Sequence, residues 1–287
     1  MVNNTRRRLH IAEATLMSME AGDREAGLLG HKNYLAVPGR PVLSHFFLYD
    51  SERGDLQAMM QANELGRIRT GATSAVAARY LARADASRHA VFGAGFQAET
   101  QVLAISQVRP VEEICVWSRS HARAEAFCDR IREHLPGILV EPAADDPAAL
   151  ACWGEIITLA TRASQPVLQG AWLTPGAFVN AIGSNAAERR EVGVDVVRRA
   201  DVIVADSLEG ARLEAGDLIA AADAGALDWA RVSALSNVVA GTVTSRETDR
   251  QVTLFESQRL ALEDLAVADY IYRHARTAGV GRQVDLR

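Results

Sequence analysis

The apolar positions of this chain form short continuous runs through its middle and mixed patterns at its two ends. Residues 89–92, 113–117, 155–160, 178–182, 201–205 and 232–239 are the continuous runs. Stretches with helical spacing lie between most of them, at 97–108, 121–135, 189–199 and 208–224. Strands apolar on both faces that alternate with helices predict a mainly parallel sheet covered on both sides. Breakers fit this pattern. Pro110 follows the first helix, Ser120 offers an N-cap to the second, and Pro136-Gly137 ends it.

The flanks read differently. Residues 42–49 are a strand with aromatics, 50–54 a turn, and 56–60 its hairpin partner. Helical spacing runs over 69–82, and 260–278 is one amphipathic helix. Both chain ends therefore build a second domain, with the alternating segment inserted between them. The boundaries fall at 1–75 and 256–287 for the outer domain and 76–255 for the inner one.

One turn carries most of the chemistry. The run 89–92 leads straight into Gly93-Ala94-Gly95-Phe96-Gln97-Ala98, and a helical stretch follows. Strand, Gly-x-Gly-x-x-Ala and helix in that order predict a dinucleotide phosphate site. Gly93 permits the tight turn and Gly95 lets a pyrophosphate approach. Phe96 and Gln97 open the helix whose N–H groups face the phosphates. The second strand ends at Trp117-Ser118-Arg119 with no acidic residue. A carboxylate there would bind a ribose 2′-OH. Ser118 and Arg119, with Arg123 nearby, instead suit a 2′-phosphate, so NADP(H) is favoured over NAD(H). The rival reading makes Ser118 and Ser120 helix caps and Arg119 a solvated cation.

Composition removes other classes. The net charge of −5 gives no pull toward nucleic acid, and no apolar run is long enough to span a membrane. Acidic residues after Arg6-Arg7-Arg8 break any signal-peptide core, so a cytoplasmic location is expected. Cys115, Cys128 and Cys152 include no Cys-x-x-Cys pair and read as buried apolar residues in a reducing compartment. No metal-ligand motif is present.

Six segments together resemble the ornithine cyclodeaminase/mu-crystallin family. They are Arg69-Thr70-Gly71-Ala72-Thr73-Ser74-Ala75, the glycine turn, Ala160-Thr161, Asn180-Ala181-Ile182-Gly183, Leu213-Glu214-Ala215-Gly216-Asp217 and Thr253-Leu254-Phe255-Glu256-Ser257. The resemblance implies a Rossmann-type doubly wound parallel sheet domain and a second α+β dimerisation/substrate domain, in a homodimer. It also implies a nicotinamide cofactor and a small amino or imino acid substrate. Three outcomes stay open: reduction of an imino acid or its reverse, cyclodeamination of ornithine, and NADPH binding with little catalysis, as in a crystallin.

The resemblance also assigns roles. Arg69 matches the arginine that holds the substrate carboxylate, a task suited to a guanidinium at a helix N-terminus. Lys32 matches the active-site lysine, which binds the carboxylate or relays a proton; its rival reading is a solvated lysine in a glycine-containing turn. Arg6 matches a third substrate-binding cation, against a plain basic tail. Thr70, Thr161 and Ser257 join the cofactor-binding set, with strand-end hydroxyl the rival for Thr161 and helix N-cap the rival for Ser257.

Three departures qualify this. Asn185 stands where ornithine cyclodeaminases carry an aspartate, and an amide is no general base. Arg259 stands where relatives usually have glycine, bringing bulk and charge that select an acidic substrate or block the pocket. Relatives also carry more residues ahead of the Arg6 position.

Overall fold

The structure, a computed structural model, describes residues 1–285. In chain order the strands and helices are β1 Val2–Asn3, β2 Arg7–Ile11, β3 Ala14–Asp23, β4 Leu28–Ala36, β5 Leu43–Asp50, β6 Leu56–Gln61, α1 Asn63–Leu81, β7 Arg88–Phe92, α2 Phe96–Ile105, β8 Glu113–Trp117 and α3 His121–His134. Then come β9 Leu139–Pro142, α4 Pro147–Trp153, β10 Ile156–Leu159, β11 Phe178–Ala181, α5 Val194–Arg199, β12 Val202–Ala205, α6 Leu208–Glu214, α7 Gly216–Asp223, β13 Val232–Ala234, α8 Leu235–Val239, β14 Thr253–Glu256 and α9 Ala261–Ala278. Two compact units result, one of residues 1–69 and 260–285, the other of 70–259. The chain leaves the first unit inside α1 and returns just before α9. Periodicity places these crossings at 75/76 and 255/256, because it sees only a continuous helix and a continuous strand there.

The first unit is a six-stranded antiparallel sheet in the order β1-β3-β4-β5-β6, with β2 also paired to β3. Its inner face carries Met19, Phe46 and Leu48, which pack with Leu65 of α1 and Leu265 and Ala268 of α9. Strands β1 to β4 were not legible in the sequence. Leu16, Leu29 and Leu35 stand on the outer face, so apolar residues occupy both faces and the two-residue alternation is blurred.

The second unit is an eight-stranded, wholly parallel sheet in the order β13-β12-β14-β11-β10-β7-β8-β9. From β7 the chain builds one way through β8 and β9, then the other way from β10. The switch therefore lies between β7 and β10, where open parallel sheets bind ligands at their carboxyl ends. Several expectations need correction. The run 232–239 is a strand only to Ala234 and then a short helix. The predicted helix 189–199 begins at Val194, and 208–224 breaks at Ala215 into α6 and α7. The strand β14, inserted between β11 and β12, was read only as a motif. Among the described residues no helix is long and apolar enough to cross a membrane. Of the cysteines only Cys128 is buried; Cys115 is half-buried and Cys152 is exposed on α4.

Candidate active site

Two constellations carry the chemistry, one in each unit. In the first unit Lys32 lies on β4, not in a turn, and its side chain points to the inner face. Its Nζ donates to Asp264 Oδ1 at 3.0 Å. Arg69 donates to the same carboxylate, from Nε to Oδ1 at 3.0 Å and from Nη2 to Oδ2 at 3.3 Å. Its Nη1 donates to Glu263 Oε2 at 2.7 Å. Asp264 is fully buried, and Lys32 and Arg69 nearly so. Burial works against the Arg69 charge, but Asp264 and Glu263 more than offset it and hold the guanidinium above its usual pKa.

Arg69 is not at a helix N-terminus. Helix α1 starts at Asn63, whose Oδ1 accepts from Ser44 N, so Arg69 lies in its second turn. The orienting groups are thus the α9 acids, which the sequence reading missed. A signal existed: Asp264 sits among Ala261, Leu265 and Ala268 on the buried stripe of α9, where an acid needs a partner. Arg6 is half-buried immediately before β2.

The second constellation lies at the carboxyl ends of the parallel strands. Gly93 follows β7 at φ +110°, and a Cβ there would come 2.6 Å from Ala160 O. Only glycine fits that turn. Gly95 is the N-cap of α2, and a Cβ on it would meet no protein atom within 4 Å. The space over Gly95 is open for a phosphate, and Ala98 behind it is fully buried. These residues fit a dinucleotide. Phe96 is exposed and Gln97 half-buried at the start of the helix. Thr70 is fully buried on α1.

Ser118 ends the β8 connection and its Oγ accepts from Ser120 N at 3.4 Å. Ser120 holds the N-cap position of α3 but makes no side-chain cap bond, a correction to its expected role. Arg119 and Arg123 are exposed, and among the described residues neither makes an ion pair.

Thr161 lies two residues beyond β10, not at its last residue. Its N and Oγ1 both donate to Glu191 Oε1 at 2.6 Å, and Gly183 N donates to Glu191 Oε2 at 2.6 Å. One buried carboxylate thus ties the loops after β10 and β11. Glu191 N and Val192 N donate in turn to Asp217 Oδ1, at 2.7 and 2.8 Å. Asn185 is half-buried in the β11 loop. Ser257 is no N-cap, since Leu260 holds that position; its Oγ donates to Asp206 Oδ2 at 2.8 Å. Arg259 sits at φ +70°, the left-handed region that favours glycine. Its N donates to Asp206 Oδ2 and its Nη2 to Ile182 O at 2.9 Å, and its charge lies near Glu191.

Burial pushes Asp217 up to about 7, and it lifts Glu256 well above the usual carboxylate range, with Asp217 and Glu191 adding to the effect. A raised carboxyl pKa means the native state keeps a proton the unfolded chain releases. This contribution to stability is full below about pH 4 and is lost as pH rises through about 7. Thermal unfolding followed by circular dichroism should show the midpoint falling from pH 5 to pH 8. Glu256→Gln should flatten that fall and raise the midpoint at pH 8.

A parallel sheet with a glycine-rich phosphate turn at its switch point defines a dinucleotide-binding class of protein, here joined to a unit holding two buried cations. The chain belongs to the ornithine cyclodeaminase/mu-crystallin family, whose model matches residues 2–279. It is 33% identical over 282 residues to a delta(1)-pyrroline-2-carboxylate reductase of Bacillus cereus, covering 95% of this chain and 85% of that one. The delta(1)-pyrroline-2-carboxylate reductase of Thermococcus litoralis, solved with NADH and L-proline, superposes with TM-score 0.93 at 31% identity, covering 98% and 89% of the two chains. An archaeal alanine dehydrogenase dimer with bound NAD superposes with TM-score 0.92 at 27% identity, covering 100% and 89%.

Proposed function

We propose that this chain is a nicotinamide-dependent oxidoreductase that reduces a small imino acid, or oxidises the corresponding L-amino acid, with NADP(H). The observation that carries this reading is the buried pair of cations, Arg69 and Lys32, gathered on Asp264. A guanidinium held in place by Glu263 and Asp264 suits recognition of a substrate carboxylate, and an ammonium suits proton delivery to an imine nitrogen. A bound reduced nicotinamide supplies the hydride for the imine carbon. Arg69 orients the carboxylate, with Arg6 as a further candidate, and Lys32 holds the proton. Positioning and charge complementarity supply most of the rate. Asn185 supports the reductase over ornithine cyclodeamination, because its amide accepts no proton at neutral pH.

The cofactor is assigned to Gly93, Gly95, Phe96 and Gln97 at the phosphates, with Thr70, Thr161 and Ser257 as further candidates. Ser118 and Arg119 take the 2′-phosphate. Arg119→Ala should weaken NADPH binding about tenfold and leave NADH binding unchanged, as read by cofactor fluorescence. Equal losses for both cofactors would remove the NADP assignment. The relatives solved with NADH and NAD make this the direct discriminating experiment.

A homodimer is part of the same reading. Leu9, Leu16, Leu35 and Leu43 are exposed and are successive cross-strand partners on the outer face of the sheet, an apolar row that suits an interface with a second copy. A cytoplasmic setting fits the three unpaired cysteines.

A further inference from the structure

Of the 31 lysine and arginine residues, one is a lysine, Lys32. Arginine is a permanent planar cation, whereas lysine is a compact ammonium able to give up a proton. The single side-chain ammonium of the sequence is therefore buried in the candidate site, and two residues act on it. Asp264 accepts from Nζ at 3.0 Å while also accepting from Arg69 Nε at 3.0 Å. Gly66, on α1, is the other. A Cβ there would lie 2.5 Å from Lys32 Nζ and 3.8 Å from Asp264 Oδ1. Glycine inside a helix weakens it relative to alanine, so this position serves clearance rather than helix strength. Asp264 of α9 accepts from Nζ, Arg69 of α1 donates to that same carboxylate and to Glu263, and the strand partners Met19 and Phe46 carry no charge.

We propose that Asp264 and Gly66 are positioning residues for Lys32. The carboxylate holds the ammonium and bridges it to the Arg69 guanidinium, and the glycine keeps open the space the ammonium occupies. The catalytic consequence rests on the imine-reductase reading; the placement of Lys32 does not.

The test uses the full chain and the variants Gly66→Ala, Asp264→Asn and Asp264→Glu. Acetic anhydride labelling at a series of pH values, with mass spectrometry of the Lys32 peptide, reads one lysine without ambiguity. Gly66→Ala should stay folded, since the atom in the way is the tip of a flexible side chain and alanine strengthens the helix, which offsets part of what the loosened Lys32–Asp264 contact costs. Its Lys32 should acetylate faster, and its kcat should fall about 100-fold with NADPH binding unchanged. Asp264→Asn leaves two cations without their shared acid, so its labelling midpoint and the basic limb of its pH–rate profile should move to lower pH. Asp264→Glu should restore part of both. Labelling profiles in Gly66→Ala and Asp264→Asn identical to wild type would overturn the proposal. Shifted labelling in a protein that reduces no imine would overturn the reductase reading and leave the positioning role standing.

Discussion

Arg69→Ala is expected to lower kcat/KM for an imino acid by about 100- to 1,000-fold, the loss typical when one partner of a buried charge pair is removed. Arg69 makes three contacts to Glu263 and Asp264. Its removal takes away the group proposed to orient the substrate and leaves two acids facing where the substrate carboxylate would bind. Stability also falls, by about 3 kcal/mol, because Asp264 is fully buried and loses part of its compensation. NADPH binding, whose proposed residues all lie in the other unit, should persist. Arg69→Lys keeps a cation but loses the planar fork, so it should recover little activity. Steady-state kinetics with a fluorescence titration of the same samples checks this. Equal losses of NADPH binding and turnover would mean a folding defect instead.

Gly93→Ala is expected to remove dinucleotide binding. Its backbone lies at φ +110°, and the added methyl would meet the Ala160 carbonyl at 2.6 Å. A backbone atom cannot yield as a side-chain tip can. Strain of about 1–3 kcal/mol is expected from the conformation alone. Displacing the turn from β10 adds to it, so binding should weaken about 100-fold or more. Gly95→Ala makes a useful contrast. A methyl there meets no protein atom, so the fold should tolerate it while the approach of a phosphate is hindered. Calorimetric titration with NADPH, paired with a thermal melt, separates the two effects.

The parallel sheet was legible because its strands are apolar on both faces and its turns carry their own punctuation. Val91-Phe92-Gly93 leads into a helix in a way few other structures require, and β8 is found at the predicted residues. What stayed hidden depends on distant parts of the chain. Lys32, Arg69 and Asp264 are brought together from one strand and two helices, and no local pattern joins them. Glu191 is one acid in a polar stretch, yet it ties Thr161 to Gly183. Gly66 also misled the periodicity. It interrupts the helical pattern ahead of Arg69, so the start of α1 reads six residues late. The glycine that obscures the helix is the one that gives the Lys32 ammonium its room. Ser257 and Asp217 were legible in motifs, but their partners, the Asp206 carboxylate and the backbone N–H groups of Glu191 and Val192, were not.

The most direct measurement is NADPH oxidation by delta(1)-pyrroline-2-carboxylate, and by other small imino acids, with chiral analysis of the product. Cofactor consumption matched one for one by the L-amino acid is the predicted result. NADPH that binds tightly, while no imino acid is reduced and no L-amino acid is oxidised in reverse, would contradict the account and make this chain a nucleotide-binding protein without the proposed reaction.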